Sequence, residues 1–177
     1  QHHSSSDNHD EHTPDNNMPN GCETCDATET GTTETAGDAG EPATSVVPAT
    51  SLADIAHEWL ADHTTELYEW RWDFHAHPEL SDQEYRTTAT INSILRDHGL
   101  TPHLFPNTGL MVDIGPDTPE KIAFRADIDA LPIQEHTGCE HSSQNAGVMH
   151  ACGHDIHITV ALGLACVLAE ADRRGLI

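Results

Sequence analysis

The stretch Ile156 to Ala169 is apolar on nearly every side, with only His157 and Thr159 polar. Wound as a helix, such a run has no polar face to turn to water, so it must be enclosed by other elements. Residues 155–173 are therefore expected to form a helix buried in a core. Cys166 lies within that run and reads as plain packing.

The elements available to enclose it come earlier in the chain. Ser51 and Asp54 form a helix-start signal, a capping hydroxyl followed by an acid in the first turn. Ile55, Trp59, Leu67, Trp70 and Phe74 then recur at helical spacing, which predicts an amphipathic helix to about Phe74, broken by Pro78. Ser81 with Glu84 reads as a second capping box. Tyr85, Thr88, Ile91, Ile94, Leu95 and His98 continue that second helix, and Gly99 stops it.

Leu110, Val112 and Ile114 alternate with Met111 and Asp113, which predicts a strand. A turn is expected over residues 115–119, GPDTP. Ile122 to Ala126 reads as a more buried strand. It runs into Asp127 and Asp129, and in open α/β sheets functional groups gather beyond the carboxyl ends of strands. The order helix, helix, strand, strand, helix predicts an α/β sandwich. Two strands are too few to cover a helix buried on all sides, so the chain is expected to be a fragment.

Residues 1–50 are different in kind. Ser, Asp, Asn, His, Thr, Glu, Gly and Pro dominate them, and large apolar residues are almost absent. Such a segment buries too little surface to offset its ordering entropy, which predicts a disordered acidic tail before a folded unit over residues 51–177. Cys22 and Cys25 stand in the tail as C-x-x-C. Without a second pair they are weak evidence for zinc. The first residue is Gln1, so a preceding stretch is expected to have been lost or removed.

Charge narrows the function classes. Thirty acidic residues face seven basic ones, for a formal net charge of −23. Phosphate and anionic lipid surfaces need clustered Lys and Arg, so neither nucleic acid nor membrane is an expected partner. No apolar run reads as long enough to span a bilayer, and no basic-then-apolar leader is visible. The tail holds ten of the thirty acids, which leaves twenty for residues 51–177, so the excess is not confined to the tail. A surface of this sign repels itself unless salt screens it, which predicts adaptation to high salt. Five cysteines make an odd count. With no secretory signal, a disulfide framework is not expected and a cytoplasmic location is.

The chemistry concentrates in VMHACGHDIH, residues 148–157. Cysteine thiolate and imidazole suit zinc and similar transition metals. Gly153 lets the backbone turn tightly between Cys152 and His154, so both side chains can converge on one point. Asp155 then opens the last helix, where its N-terminus favours a carboxylate. Asp127 and Asp129 are candidates as further ligands or as acceptors that orient an imidazole. Spacing alone leaves a metal site and an ordinary loop both open. A thiol nucleophile at Cys152, with His150 or His154 as its base, is a third reading.

Three blocks in order resemble one family. WRWDFHAHPELSDQE, FRADIDALPIQE and GVMHACGHDIH, over residues 70–84, 124–135 and 147–157, are similar to motifs of the metal-dependent amidohydrolases. These include N-acyl-amino-acid, hippurate and auxin-conjugate hydrolases, a branch of the aminoacylase and carboxypeptidase-like metallopeptidases. The likeness extends over roughly residues 52–177. It implies a three-layer α/β sandwich of the zinc-peptidase type, present only as its N-terminal portion.

The resemblance also implies roles. Cys152 and His154 match metal ligands of the family. Asp129 matches an acid beside the metal site, and Asp127 stands where related branches place a histidine ligand. It implies two divalent ions per complete site, with zinc, manganese, cobalt and nickel as candidates. The implied reaction is hydrolysis of the amide bond of N-acyl amino acids or similar small amides, and a homo-oligomeric full-length parent is expected in the manner of the family. The general-base glutamate and further ligands are expected beyond Ile177, so the fragment itself is expected to be inactive.

Trp72, Phe74 and Ile156 depart from the family pattern, which usually has a basic residue, Leu and Gly there. His75 and His77 receive no chemical duty from the resemblance, and packing and hydrogen bonding near Pro78 is the reading preferred for them. Two rivals stand beside the amidase: a non-catalytic truncated or degenerate relative that binds a partner, and a cysteine hydrolase using Cys152.

Overall fold

A computed structural model describes residues 51–177. The tail and its Cys22–Cys25 pair, and the expectations about them, lie outside the described residues. Three helices dominate: α1 over Leu52–Ala76, α2 over Tyr85–Asp97 and α3 over His154–Arg173. Between α2 and α3 sits a two-stranded antiparallel hairpin, β1 over His103–Leu104 and β2 over Leu110–Met111, paired His103 to Met111 and Leu104 to Leu110.

Helix α1 starts as its sequence requires. Ser51 adopts an extended backbone and its hydroxyl accepts from the Asp54 N–H at 3.2 Å, satisfying a donor that has no intrahelical partner. Helix α2 starts differently from expectation. Ser81 does not cap it. The carboxylate of Glu79 accepts from the backbone N–H groups of Arg86 at 3.0 Å and Thr87 at 2.7 Å. A charged acceptor reaching two orphan donors outcompetes a hydroxyl, and Asp82, at φ 65°, turns the chain so that Glu79 can reach.

Gly99 ends α2 in the left-handed region, at φ 81°. The Leu100 N–H then bonds the Leu95 carbonyl and the Gly99 N–H bonds the Arg96 carbonyl, both at 2.9 Å. This closes the last turn in the pattern that glycine permits without a Cβ clash.

The core is one seam along α3. Phe74 of α1, Ile91 and Leu95 of α2, and Ile158, Leu162 and Ala165 of α3 form its larger part. Ile55 and Trp59 of α1 with Cys166, Val167 and Ala171 of α3 form the rest. Gly163 marks the closest approach of α1 and α3. A Cβ there would lie 3.3 Å from Leu67 Cδ2 and 3.9 Å from Trp59 Cζ3. Burying a side chain such as Phe74 or Ile158 stabilises the fold by about 1.5–3 kcal/mol.

The structure corrects expectations about α3 and about both strands. Helix α3 is not enclosed all round: Ile156 and Val160 are 50% and 53% exposed, because α1 and α2 cover one side of it and no described element covers the other. The helix is also long and apolar enough, by length and composition, to cross a bilayer, although no stretch was expected to be; here it serves as the core helix packed on α1 and α2. Ile122 to Ala126 is not a buried strand. Ile122 is fully exposed and Phe124 is 60% exposed, since no neighbouring strand among the described residues offers its backbone a ladder. The first predicted strand is formed only at Leu110 and Met111, while Val112 and Ile114 pack on the core without pairing.

Candidate metal centre

Isolated backbone bridges outside the hairpin set the site. Ala130 donates its N–H to the Glu79 carbonyl at 2.7 Å, and Leu131 exchanges two 3.0 Å backbone bonds with Met149. The chain at residues 129–131 is thereby held between the segment that follows α1 and the loop that precedes α3. These few bonds bring Asp129 to the start of α3, across 25 positions of sequence.

Helix α3 begins at Gly153, whose φ of 80° provides the tight turn, with no side chain capping the helix. His154 is the first helical residue. Its Nδ1 lies 2.9 Å from the Asp129 carbonyl and 3.1 Å from the Asp129 carboxylate. Both partners are acceptors, so Nδ1 carries the proton and donates. Nε2 is then left with its lone pair, the form in which imidazole binds a metal. Cys152, on the other side of Gly153, is an exposed free thiol.

This donor set fits a thiophilic divalent metal. An imidazole fixed by a carboxylate at its far nitrogen is the usual arrangement of a metal-binding histidine. Asp129 is the acceptor that orients it. Asp127 is differently engaged, with its carboxylate paired to the exposed Arg125 guanidinium. Among the described residues, no three His, Cys, Asp or Glu side chains converge as a complete ligand group. Asp127, Asp129 and His154 line an open cavity of about 480 Å3, together with Ser81, Glu84 and Arg125.

Beneath this cavity lies a charged network that sequence reasoning missed. Asp155, 1% exposed, accepts from His75 Nδ1 at 2.8 Å and from Arg71 Nε at 3.1 Å. The other ring nitrogen of His75 lies 3.3 Å from Glu135. Glu135 also accepts from the Ser143 N–H at 2.6 Å and from the Thr137 hydroxyl. His75 thus faces a carboxylate at each nitrogen, and only the doubly protonated ring satisfies both. The Asp155 hydrogen bond raises its pKa above the ordinary value, against the opposing effect of burial.

The two carboxyls move the other way. Burial works to raise Asp155, but the His75 hydrogen bond and the Arg71 charge outweigh it and hold the group below its ordinary value. Burial likewise opposes the hydrogen bonds from Thr137, Ser143 and His75 at Glu135, which nonetheless stays low. The available signal was Arg71 and His75 at i and i+4, one face of α1, on the same side as Phe74. Spacing could not reveal that the partner would be Asp155. His77, by contrast, makes only local contacts, donating from Nδ1 to the Asp73 carbonyl at 2.9 Å, as the packing reading expected.

His150 is 4% exposed and neither ring nitrogen has a hydrogen-bond partner. Burial lowers its pKa to about 4, so it is neutral at ordinary pH. A buried neutral imidazole is a poor base for Cys152 in comparison with a solvated one, and nothing pairs the two.

Residues 123–176 match the family described as peptidase family M20/M25/M40. The crystal structure of the Bacillus subtilis YxeP protein, a dinuclear metal binding peptidase from the M20 family, superimposes with a TM-score of 0.60 at 41% identity, over 63% of this chain and 32% of that one. Over these residues the chain is similar to the M20 peptidases.

An N-acyl-L-amino acid amidohydrolase of Geobacillus stearothermophilus is 44% identical over 115 residues, 63% of this chain and 31% of that protein. A Rhodococcus jostii protein named putative glutamate–cysteine ligase 2-3 is 54% identical over 106 residues, but these are only 13% of its length. So small a share ties the ligase name to none of the residues in common. The chain spans less than a third of the length of each of these relatives. Cys152, His154, Asp127 and Asp129 all fall inside the M20-matched segment.

Proposed function

We propose that the protein is a metal-dependent amidohydrolase that cleaves the amide bond of N-acyl amino acids or similar small amides. The observation that carries this is the fixed tautomer of His154. Its Nδ1 is committed to Asp129, and its Nε2 is free one glycine away from the Cys152 thiol. The matched family and the amidohydrolase relative support the reading.

Cys152 and His154 would hold a divalent metal, with zinc, manganese, cobalt and nickel as candidates and two ions in a complete site. When bound, the metal supplies Lewis-acid polarisation of the amide carbonyl and a bound water of lowered pKa. Asp129 fixes the ring of His154 and raises its basicity as a ligand. Asp127, tied to Arg125, shapes the rim of the cavity rather than its donor set. No residue of this chain is assigned as general base; on this reading that glutamate, with the further ligands, belongs to the part of the relatives' length that the chain does not span. The finer fold, a three-layer sandwich of the zinc-peptidase type, belongs to the same proposal, as do a small-molecule substrate and a cytoplasmic location.

The test has two parts. Cobalt is titrated into the chain, and the thiolate-to-cobalt absorption band is followed. It is expected in the native protein and lost in Cys152→Ser and in His154→Ala. Protein from the whole reading frame is then assayed on N-acetyl and N-benzoyl amino acids with and without chelator. Hydrolysis that survives both chelation and Cys152→Ala would overturn the metal role.

A further inference from the structure

We propose that His75 is a positioning residue: by holding the Asp155 carboxylate against α1, it fixes the first turn of α3 and thereby the ring of His154. This rests on the reading of His154 as a ligand, but it concerns a group 80 positions before Asp155 in the chain.

The start of α3 is otherwise weakly held. Gly153 gives it no side-chain cap, and the turn it makes is one that glycine's freedom permits rather than enforces. The side chain that anchors this turn is Asp155, adjacent to His154. It is fully buried and tied to α1 by His75 at 2.8 Å and Arg71 at 3.1 Å. Glu135 holds the far nitrogen of His75 at 3.3 Å, so the imidazole cannot rotate without losing a bond. Glu135 is in turn fastened by Ser143, whose neighbour Gln144 bonds the Ala76 carbonyl at 2.8 Å. The chain of contacts therefore links the end of α1, the loop at residues 135–144 and the first turn of α3.

Stability alone does not explain such a network. Burying three charged groups, with Arg71 half-buried beside them, costs desolvation that an apolar cluster of the same volume avoids, and replacing such groups by well-packed apolar ones is often neutral or stabilising. What the network supplies is directionality. His75 and Arg71 approach Asp155 from one side, which fixes the rotation of α3 about its axis. A turn of a few tens of degrees would carry His154 away from Asp129.

The experiment reads His154 directly. Ring 15N shifts of the metal-free chain report its tautomer, and cobalt titration reports the affinity of the site. In the native protein His154 is expected as a single Nδ1–H tautomer. In His75→Ala, with far-UV helicity unchanged, the ring is expected to become a tautomer mixture and cobalt affinity to fall about tenfold to a hundredfold. His75→Gln, which still offers an N–H to Asp155, is expected to retain most of both. An unchanged tautomer in His75→Ala would overturn the proposal. Should His75→Ala fail to fold, Glu135→Ala decides in its place, since it removes the acceptor of the far nitrogen of His75 and leaves Asp155 paired; a single tautomer with native cobalt affinity there would overturn it too. Failure of the native chain to bind cobalt would count against the metal reading alone, and the tautomer comparison would still decide the positioning.

Discussion

His154 donates from Nδ1 to Asp129, reaching the backbone carbonyl at 2.9 Å and the carboxylate at 3.1 Å. The backbone acceptor survives any substitution at position 129. Asp129→Ala is therefore expected to weaken cobalt binding by about tenfold, the low end for loss of an orienting partner. Asp127→Asn should change it less than threefold, because Asp127 is paired with an exposed arginine and contacts of that kind contribute about 0–1 kcal/mol. Parallel cobalt titrations of the two variants make the check. Equal losses would mean that Asp127 is itself a ligand.

The His75–Asp155–Glu135 cluster gives the fold a pH dependence with two limbs. His75 has a folded pKa above its ordinary 6.5, so its contribution is complete below that value and is lost as pH rises through the folded pKa. Asp155 and Glu135 have folded values below their ordinary 3.8 and 4.5. Their contributions are complete above those values and are lost as pH falls through the folded ones. Urea midpoints across pH should thus decline on both sides of a mildly acidic maximum. The alkaline decline should vanish in His75→Gln. Its persistence there would assign it to some other group.

Phe74 is fully buried where α1, α2 and α3 meet. Phe74→Ala removes a ring that touches all three helices. The expected cost is roughly 3–5 kcal/mol from lost transfer energy and the cavity left behind. Urea denaturation followed by helix signal would show it. A loss below about 1 kcal/mol would mean that the seam collapses to fill the gap, and that the core is less rigid than its burial implies.

The helices were legible in the sequence because their signals are local. Ser51 caps α1, Gly99 ends α2, and the apolar run of α3 follows from composition alone. The site was half legible. Cys152, His154 and Asp129 lie in short motifs, and the structure sets Asp129 against the His154 ring. What escaped was non-local. Glu79 displaced Ser81 as the cap of α2 because a bend at Asp82 brought it round, and no spacing rule contains that bend. His75 was read as packing because its partners lie 60 and 80 positions away. Ile122 to Ala126 has the composition of a strand, but pairing is decided by what lies beside it. Among the described residues nothing does.

The acid excess bears on folding as well as on solubility. With 30 acidic and seven basic residues, the compact state concentrates like charge, and salt relieves that repulsion over about 10 Å at 0.1 M and 3 Å at 1 M. The melting temperature is expected to rise between dilute buffer and molar KCl. His75–Asp155 is buried and Arg71–Asp155 half-buried, so both should respond little and the gain must come from the surface. A melting temperature unchanged across that range would sink the salt-adaptation reading.

Alkylation separates a ligand thiol from a nucleophile. Cys152 is exposed and free, whereas Cys166 is buried and its pKa is pushed up to about 12, chiefly by burial. An accessible thiol is thus offered at position 152, while at position 166 the thiol is shielded and its ionisation suppressed. Iodoacetamide labelling, read peptide by peptide by mass spectrometry, should mark Cys152 first in the metal-free chain. Added zinc should slow that labelling at least tenfold, since a metal-bound thiolate has its lone pair engaged. In His154→Ala the protection should be largely lost, because one ligand alone holds zinc poorly. Labelling of Cys152 that zinc leaves unchanged would favour the cysteine hydrolase, in which the thiol is free to attack and the neighbouring imidazole serves as its base.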